Sequence, residues 1–459
     1  MITTTDNKKT VAIIALIRIF FGISHPYIVH TLDYTKIMNE KEFEKALPQI
    51  KKILSFALSN PYSDFYRRKY KKLDFDPLKI SSYEEFKRIP PLKKEEFIDL
   101  NIEKRTFVPK ENVTGFSFSS GTTNTNKVLV TPHLKTTEQP ERLAEVSKLV
   151  FKGYNKFLLL LAPTHDHISG GESWARISVI KIIGDIHNLG RTALMSRDVA
   201  INGIVTTPTA LKLFIPELKR VGFNFTKIRF ISLGGEMCSN EGRAHFQDLF
   251  PRSVIETRYG SSEIKSTRGY QCHYLYKKPT NFFHVVTTKY FIESVKGEIL
   301  HTDLESPKAF PMIRYQTGDS GDILHKKCRC GNDSLLILGQ RKDWDVLKFA
   351  GVTLRADVIR ESLSKLVNPT ETPWQMHVYE ARVGDQLKPR LVLEVTPQSL
   401  RDGRLLLNGK DKISKDLFLT ATKTLADLVK DNLFLPLEID IKTTTKKKYK
   451  IQKPIISHL

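Results

Sequence analysis

The stretch Lys156-Phe157-Leu158-Leu159-Leu160-Leu161-Ala162, closed by Pro163-Thr164-His165-Asp166-His167, sets the reading of the whole chain. A nearly continuous apolar run of this length, stopped by a proline, reads as a strand buried on both faces. Downstream, Ile201 to Val205 reads as a strand and Thr209 to Val221 as a helix with Pro216 inside it. Ile228-Arg229-Phe230-Ile231-Ser232-Leu233 is again a strand, ending in Gly234-Gly235-Glu236. Alternating strand and helix predicts an α/β fold with a substantially parallel sheet. Ligands of such sheets sit outside the carboxyl ends of the strands, where His165, Glu236 and Tyr259 fall.

Upstream lies a second informative stretch, Ser119-Ser120-Gly121-Thr122-Thr123-Asn124-Thr125-Asn126-Lys127, between the strand-like Gly115-Phe116-Ser117-Phe118 and Val128-Leu129-Val130. The pattern is a hairpin with a polar tip. Its hydroxyls, backbone N–H groups and lysine suit phosphate oxygens. A solvated hairpin tip is the plain alternative, since one glycine and no following helix do not make a P-loop.

Residues 1 to about 100 read as mostly helical. Glu42 to Leu58 has helical apolar spacing, with a restart expected at Pro48, and Asp64 to Tyr70 forms a second helix. Glu138 to Phe151 reads as a helix beyond the polar loop. From Phe282 to about Asp345 the pattern becomes short strands and turns. A small α+β domain follows, with a helix over Ala356 to Leu366, strands at Gln375 to Tyr379 and Leu391 to Val395, one long helix from Ile413 to Asp431, and a last strand at Leu437 to Ile441.

The chain has 459 residues, 72 Lys+Arg against 50 Asp+Glu, and a net charge of +22. The basic residues are spread along the chain, so a solvated surface is favoured over a nucleic-acid partner. Four cysteines make no disulfide framework, which fits a reducing cytoplasm. The apolar run Val11 to Ile17 is too short to span a bilayer, and no stable membrane insertion is expected.

Taken in order, the polar loop, Gly234-Gly235-Glu236, Tyr259-Gly260-Ser261-Ser262-Glu263, Arg314-Tyr315-Gln316-Thr317-Gly318-Asp319 and a basic tail resemble the adenylate-forming superfamily. Asn60-Pro61-Tyr62-Ser63-Asp64-Phe65-Tyr66, Ile89-Pro90-Pro91-Leu92-Lys93-Lys94, Pro311-Met312-Ile313-Arg314-Tyr315 and Cys328-Arg329-Cys330-Gly331 resemble its phenylacetate–CoA ligase branch. The resemblance implies a large N-terminal α/β domain with mixed sheets flanked by helices, plus a small mobile C-terminal α+β domain. Residues 1–100 would be the helical part of the large domain, 101–345 its nucleotide- and acid-binding core, and 346–459 the lid.

The implied reaction joins a small carboxylic acid, aryl in this branch, to AMP from ATP and then to a thiol. Negative charge on the phosphates must be held and positioned. By resemblance, Ser119, Ser120, Gly121, Thr122, Thr123 and Lys127 grip the β- and γ-phosphates, Glu263 binds Mg²⁺ and Ser262 reaches the α-phosphate. Tyr259 and Gly260 lie beside the adenine, with Gly234, Gly235 and Glu236 lining the nucleotide. Asp319 accepts from the ribose hydroxyls, and Arg341 touches the ribose at a hinge within Arg341-Lys342-Asp343-Trp344-Asp345. Lys448 is the lysine carried in by the lid, with Lys447 and Lys450 as its rivals. Asn124 stands where the family has Gly, and Asn126 where it has Pro; the glycine usual before the catalytic lysine is absent.

His165 and His167 are expected near the acid. Cys328 and Cys330, with Cys272, His273 and His284 upstream, are the candidate ligands of a structural Zn²⁺ that relatives carry; buried free cysteines are the alternative. Coenzyme A is the expected acceptor. The phosphopantetheine arm of an acyl carrier protein suits the positive charge, and self-loading on a cysteine such as Cys238 is a third route. An inactive scaffold binding nucleic acid or a membrane surface is the reading from another class. A homodimer is also allowed.

Overall fold

The structure is a computed structural model that describes residues 31–118, 130–134, 155–160, 179–261, 264–341, 346–369, 371–384, 386–397, 399–420, 422–442 and 455–457. Four helices open it: α1 (Thr31–Leu58), α2 (Phe65–Tyr70), α3 (Tyr83–Lys87) and α4 (Glu95–Ile98). In α1 the buried residues Phe43, Ala46, Ile50, Ile53, Leu54 and Ala57 recur at helical spacing. Burial of that stripe carries the helix through Pro48, which lies inside it rather than restarting it. The hairpin expected around the polar loop is present as β1 (Val113–Phe118) and β2 (Val130–Leu134), which run antiparallel with Phe118 opposite Val130.

The apolar run forms a strand one in from the edge of a large sheet. Strands β3 (Asn155–Leu160), β4 (Val179–Ile183), β5 (Gly203–Thr206), β6 (Phe230–Leu233) and β7 (Val254–Ser261) pair parallel in the order β7-β6-β5-β3-β4. Phe157 to Leu160 are all buried. The Phe157 ring lies on Gly203 of the next strand, where a Cβ would sit 2.3 Å from it. Helices α5 (Leu189–Val199), α6 (Pro208–Arg220) and α7 (Asn240–Leu249) supply the crossovers; α6 runs through Pro216.

Beyond β7 the same sheet turns antiparallel through β8 (Ile264–Tyr270), β9 (Phe282–Val285), β10 (Tyr290–Val295), β11 (Glu298–Asp303), β12 (Tyr315–His325) and β13 (Ser334–Arg341). Its order there is β10-β11-β12-β13-β9-β8-β7. The N-terminal helices cover this half, and Phe43, Tyr66, Phe86, Phe97 and Phe107 share a core with Phe291, Phe310 and Tyr315. One buried knot joins the two. Arg314 donates to Glu293 at 3.1 Å and to the Lys87 and Ile89 carbonyls at 2.6 and 2.5 Å. Tyr83 Oη donates to the same glutamate at 3.3 Å.

The C-terminal unit has a core of its own, including Leu354, Ile359, Met376, Val378, Leu391, Leu393 and Leu437. It comprises the hairpin β14 (Val346–Phe349) and β15 (Val352–Arg355), helix α8 (Ala356–Ser364) and the strands β16 (Trp374–Val383) and β17 (Gln386–Val395). Helices α9 (Leu400–Asn408), α10 (Lys410–Asp416) and α11 (Leu425–Lys430) follow, then β18 (Glu438–Ile441) and β19 (Ile455–Ser457). The long helix expected over Ile413 to Asp431 is instead α10 and α11. Thr424 and Asp427 close a capping box that starts a new helix, and Phe418 bridges back to Thr424. Among the described residues no helix is long and apolar enough to cross a membrane.

Candidate active site and metal centre

Some of the residues expected around a nucleotide lie at or near the end of the parallel strands. After β6 the chain turns at Gly235, whose φ of +83° is left-handed and suits glycine. Glu236 follows. One of its oxygens accepts from Thr209 N at the start of α6 (2.6 Å), and the other from Gly351 N in the small unit (3.2 Å). The carboxylate therefore caps a helix and ties down the β14–β15 turn.

Tyr259 near the end of β7 is buried, and its hydroxyl donates to Asp319 Oδ2 at 2.7 Å. Asp319 N donates to Thr317 Oγ1, and the Thr317 hydroxyl to the Ile299 carbonyl, which sets the turn around Gly318. Arg341 is the backbone partner of Asp319 across β12 and β13. Tyr259, Gly260, Asp319 and the backbone of Arg341 thus meet, with Gly234, Gly235 and Glu236 at the end of β6. Ser119, Ser120, Gly121, Thr122, Thr123, Lys127, His165, His167, Ser262, Glu263, Lys448 and the hinge residues 342–345 lie outside the described residues.

Three of the cysteines meet at β9 and the loops after β8 and before β13. The ligand atoms of Cys272, His284, Cys328 and Cys330 all lie within 4.8 Å of one another. Cys272 Sγ stands 3.8 Å from Cys328 Sγ, and Cys330 Sγ stands 3.4 Å from His284 Nε2. A tetrahedron with zinc bond lengths has S···S and S···N edges of about 3.8 and ~3.5 Å. The donor set fits that ion. His284 Nδ1 donates to the Ser334 carbonyl at 2.9 Å, which aims Nε2 at the cluster. His273 is not in the group; its ring lies 3.8 Å from that of Tyr274. Burial pushes the Cys272 thiol up to about 12 and raises Cys330 as well. A dication would have to displace these protons.

Cys238 is different in kind. It is buried beneath Lys212 and Arg243, and desolvation pushes its thiol up to about 12 despite those charges. It is the protonated, packed thiol of a core, which weighs against a nucleophile.

No protein-family model and no curated protein sequence matches the chain. Solved structures do. A 2-hydroxyisobutyryl-CoA ligase in complex with 2-HIB-AMP and CoA, in the thioesterification state, superposes with a TM-score of 0.60 at 14% identity, covering 91% of each chain. The same ligase in the postadenylation state with 2-HIB-AMP gives 0.57 at 14% identity and 91% of each chain. An open conformation with 2-HIB-AMP and CoA gives 0.55 at 13% identity, covering 91% of this chain and 93% of that one. The chain shares the fold of these solved structures, with a large α/β body and a small C-terminal unit.

Proposed function

We propose that the chain is an AMP-forming acid–thiol ligase that activates a small carboxylic acid as its acyl-adenylate and passes the acyl group to coenzyme A. The observation that carries the reading is the meeting of Tyr259, Asp319 and the Arg341 backbone, together with Gly234-Gly235-Glu236 at the end of β6, on this fold. An ionised Asp319 has acceptor capacity beyond the Tyr259 bond and suits vicinal hydroxyls of a ribose. Ser119 to Thr123 and Lys127 would hold the outer phosphates and Lys448 the forming acyl phosphate, offsetting negative charge. Mg²⁺ on Glu263 would supply further charge neutralisation there. The small unit would turn between the two half-reactions. His165 and His167 would face the acid, with aryl acids the first class to test.

In this reading the Cys272–His284–Cys328–Cys330 group holds a structural zinc that ties β9 to the loops after β8 and before β13. The acceptor has one serious rival, the phosphopantetheine arm of a carrier protein, because +22 suits an acidic partner. The test is pyrophosphate exchange into ATP with Mg²⁺ and a panel of aryl and aliphatic acids, followed by CoA and carrier proteins as acceptors. Exchange that depends on one acid is expected. No exchange with any acid, even after Asn124→Gly and Asn126→Pro, would count against the reading.

A further inference from the structure

The small unit meets the large one through a carboxylate in a slot. Glu380 lies in β16, and its side chain is 9% exposed. It pairs with Lys212 of α6, whose side chain is 17% exposed, and accepts a hydrogen bond from the Ser239 hydroxyl. Ser239 is also the N-cap of α7, and its oxygen accepts from Gly242 N at 2.8 Å. One hydroxyl thus accepts from a helix N–H and donates its own O–H to Glu380. A carboxylate of one unit sits at the positive end of a helix of the other, beside an ammonium. The slot leaves little room: a Cβ added at Gly242 would lie 3.1 Å from Glu380 Oε2.

Around it, Phe349 and Ala350 of the small unit face Pro208, Thr209 and Met237. Gly351 N bonds Glu236, the carboxylate next to the nucleotide-lining glycines. Arg382 and Asp248 form an outer pair at 3.5 Å that is well exposed, and such a pair contributes little. Each unit has its own apolar core, so the Glu380 contacts serve orientation rather than the folding of either body.

We propose that Glu380 is a positioning residue: it enters the slot formed by Lys212, Ser239 and the start of α7 and fixes the small unit in one register on the large unit. The inference rests on the two-step reading above, in which that register is left and regained during turnover. An apolar contact tolerates sliding, whereas a buried carboxylate with two partners accepts one position and leaves an unpaired charge in any nearby one.

Hydrogen exchange of the full chain tests this without any substrate. Glu380→Gln and Lys212→Met are each expected to speed exchange in the peptide holding Gly351 by about tenfold, with β3 to β6 unchanged. The double variant should be no worse than the more affected single one, because both remove the same pair. Unchanged exchange, or effects that add, would overturn the proposal. In active protein, the ratio of pyrophosphate exchange to thioester formation should shift by about tenfold. Equal loss of both would mark Glu380 as merely structural. A chain that adenylates no acid would sink the ligase reading and leave the exchange result to decide on Glu380 alone.

Discussion

Tyr259 and Asp319 share a hydrogen bond of 2.7 Å although three strands separate β7 from β12 in the sheet order. In a flat sheet four inter-strand steps span about 19 Å. The antiparallel half must therefore curl until β12 faces the end of the parallel half. Both residues sit where the pairing register slips, between Tyr259 and Ser261 on one strand and between Asp319 and Gly321 on the other. Irregularities of this kind bend a strand and re-aim a side chain. The curl and the slips together create the corner in which the two side chains meet.

The first prediction concerns that corner. Asp319→Asn keeps the shape but halves the acceptor capacity, and nucleotide affinity should fall by about tenfold to a hundredfold. Tyr259→Phe removes only the internal donor to Asp319, and a loss of about threefold to tenfold is expected. Isothermal titration with ATP or an adenylate analogue measures both. Affinities equal to the parent's would remove Asp319 from the site.

The basic tail yields a contrasting expectation. Lys448→Ala should lower adenylate formation by about a hundredfold or more while nucleotide affinity stays within about twofold. Binding and single-turnover assays on one preparation separate the two. Full adenylation by this variant, with loss in Lys447→Ala or Lys450→Ala instead, would move the role to that neighbour.

Much of this was legible in the sequence because its carriers are local. The run at Phe157 to Leu160 announces a doubly buried strand, and Gly234-Gly235-Glu236 marks a strand end by composition alone. The hairpin around residues 119–129 follows from two apolar runs and a polar tip. Local signals misled at Pro48, where a buried stripe outweighs one lost hydrogen bond, and between Asp416 and Leu425, where a capping box interrupts an apolar period. Long-range pairs leave no such trace. Nothing near Glu380 announces Lys212, which is 168 residues away, and nothing near Arg314 announces the Lys87 carbonyl, 227 residues away. The histidine beside Cys272 looked as suitable for zinc as His284; only the fold selects the latter.

Arg314 provides a stability test. It is buried with Glu293, whose own pKa burial raises, and it also satisfies two carbonyls of the N-terminal segment. Arg314→Ala leaves a buried carboxylate without its cation and two carbonyls without their donor. The loss should be roughly 3–5 kcal/mol, read by urea unfolding. Arg314→Lys recovers only part of it, since an ammonium cannot reproduce the fork. Replacing both partners, as Arg314→Met with Glu293→Leu, should be milder than Arg314→Ala, because no charge is stranded. A double variant that is less stable than the single one would show that a stranded Glu293 charge is not the source of the single variant's loss.

Zinc at the cysteine cluster makes the last prediction, and its pH dependence has a definite sign. Three thiols must release their protons, and the imidazole must be neutral, to bind the ion. Burial has raised the Cys272 and Cys330 thiols, so the protons compete strongly at neutral pH. Affinity should therefore rise with pH and fall in acid, by up to about tenfold per pH unit for each thiol proton displaced. Elemental analysis of the purified chain should give about one zinc per molecule. Dialysis against a chelator at mildly acidic pH should remove it faster than at pH 8, and Tm should drop by at least ~5 °C. Cys328→Ser should reproduce the lower Tm and abolish the response to chelator, whereas His273→Ala should do neither. A metal-free protein with unaltered Tm after oxidation-free purification would reduce the cluster to packed thiols, for which Cys328→Ser would be nearly neutral.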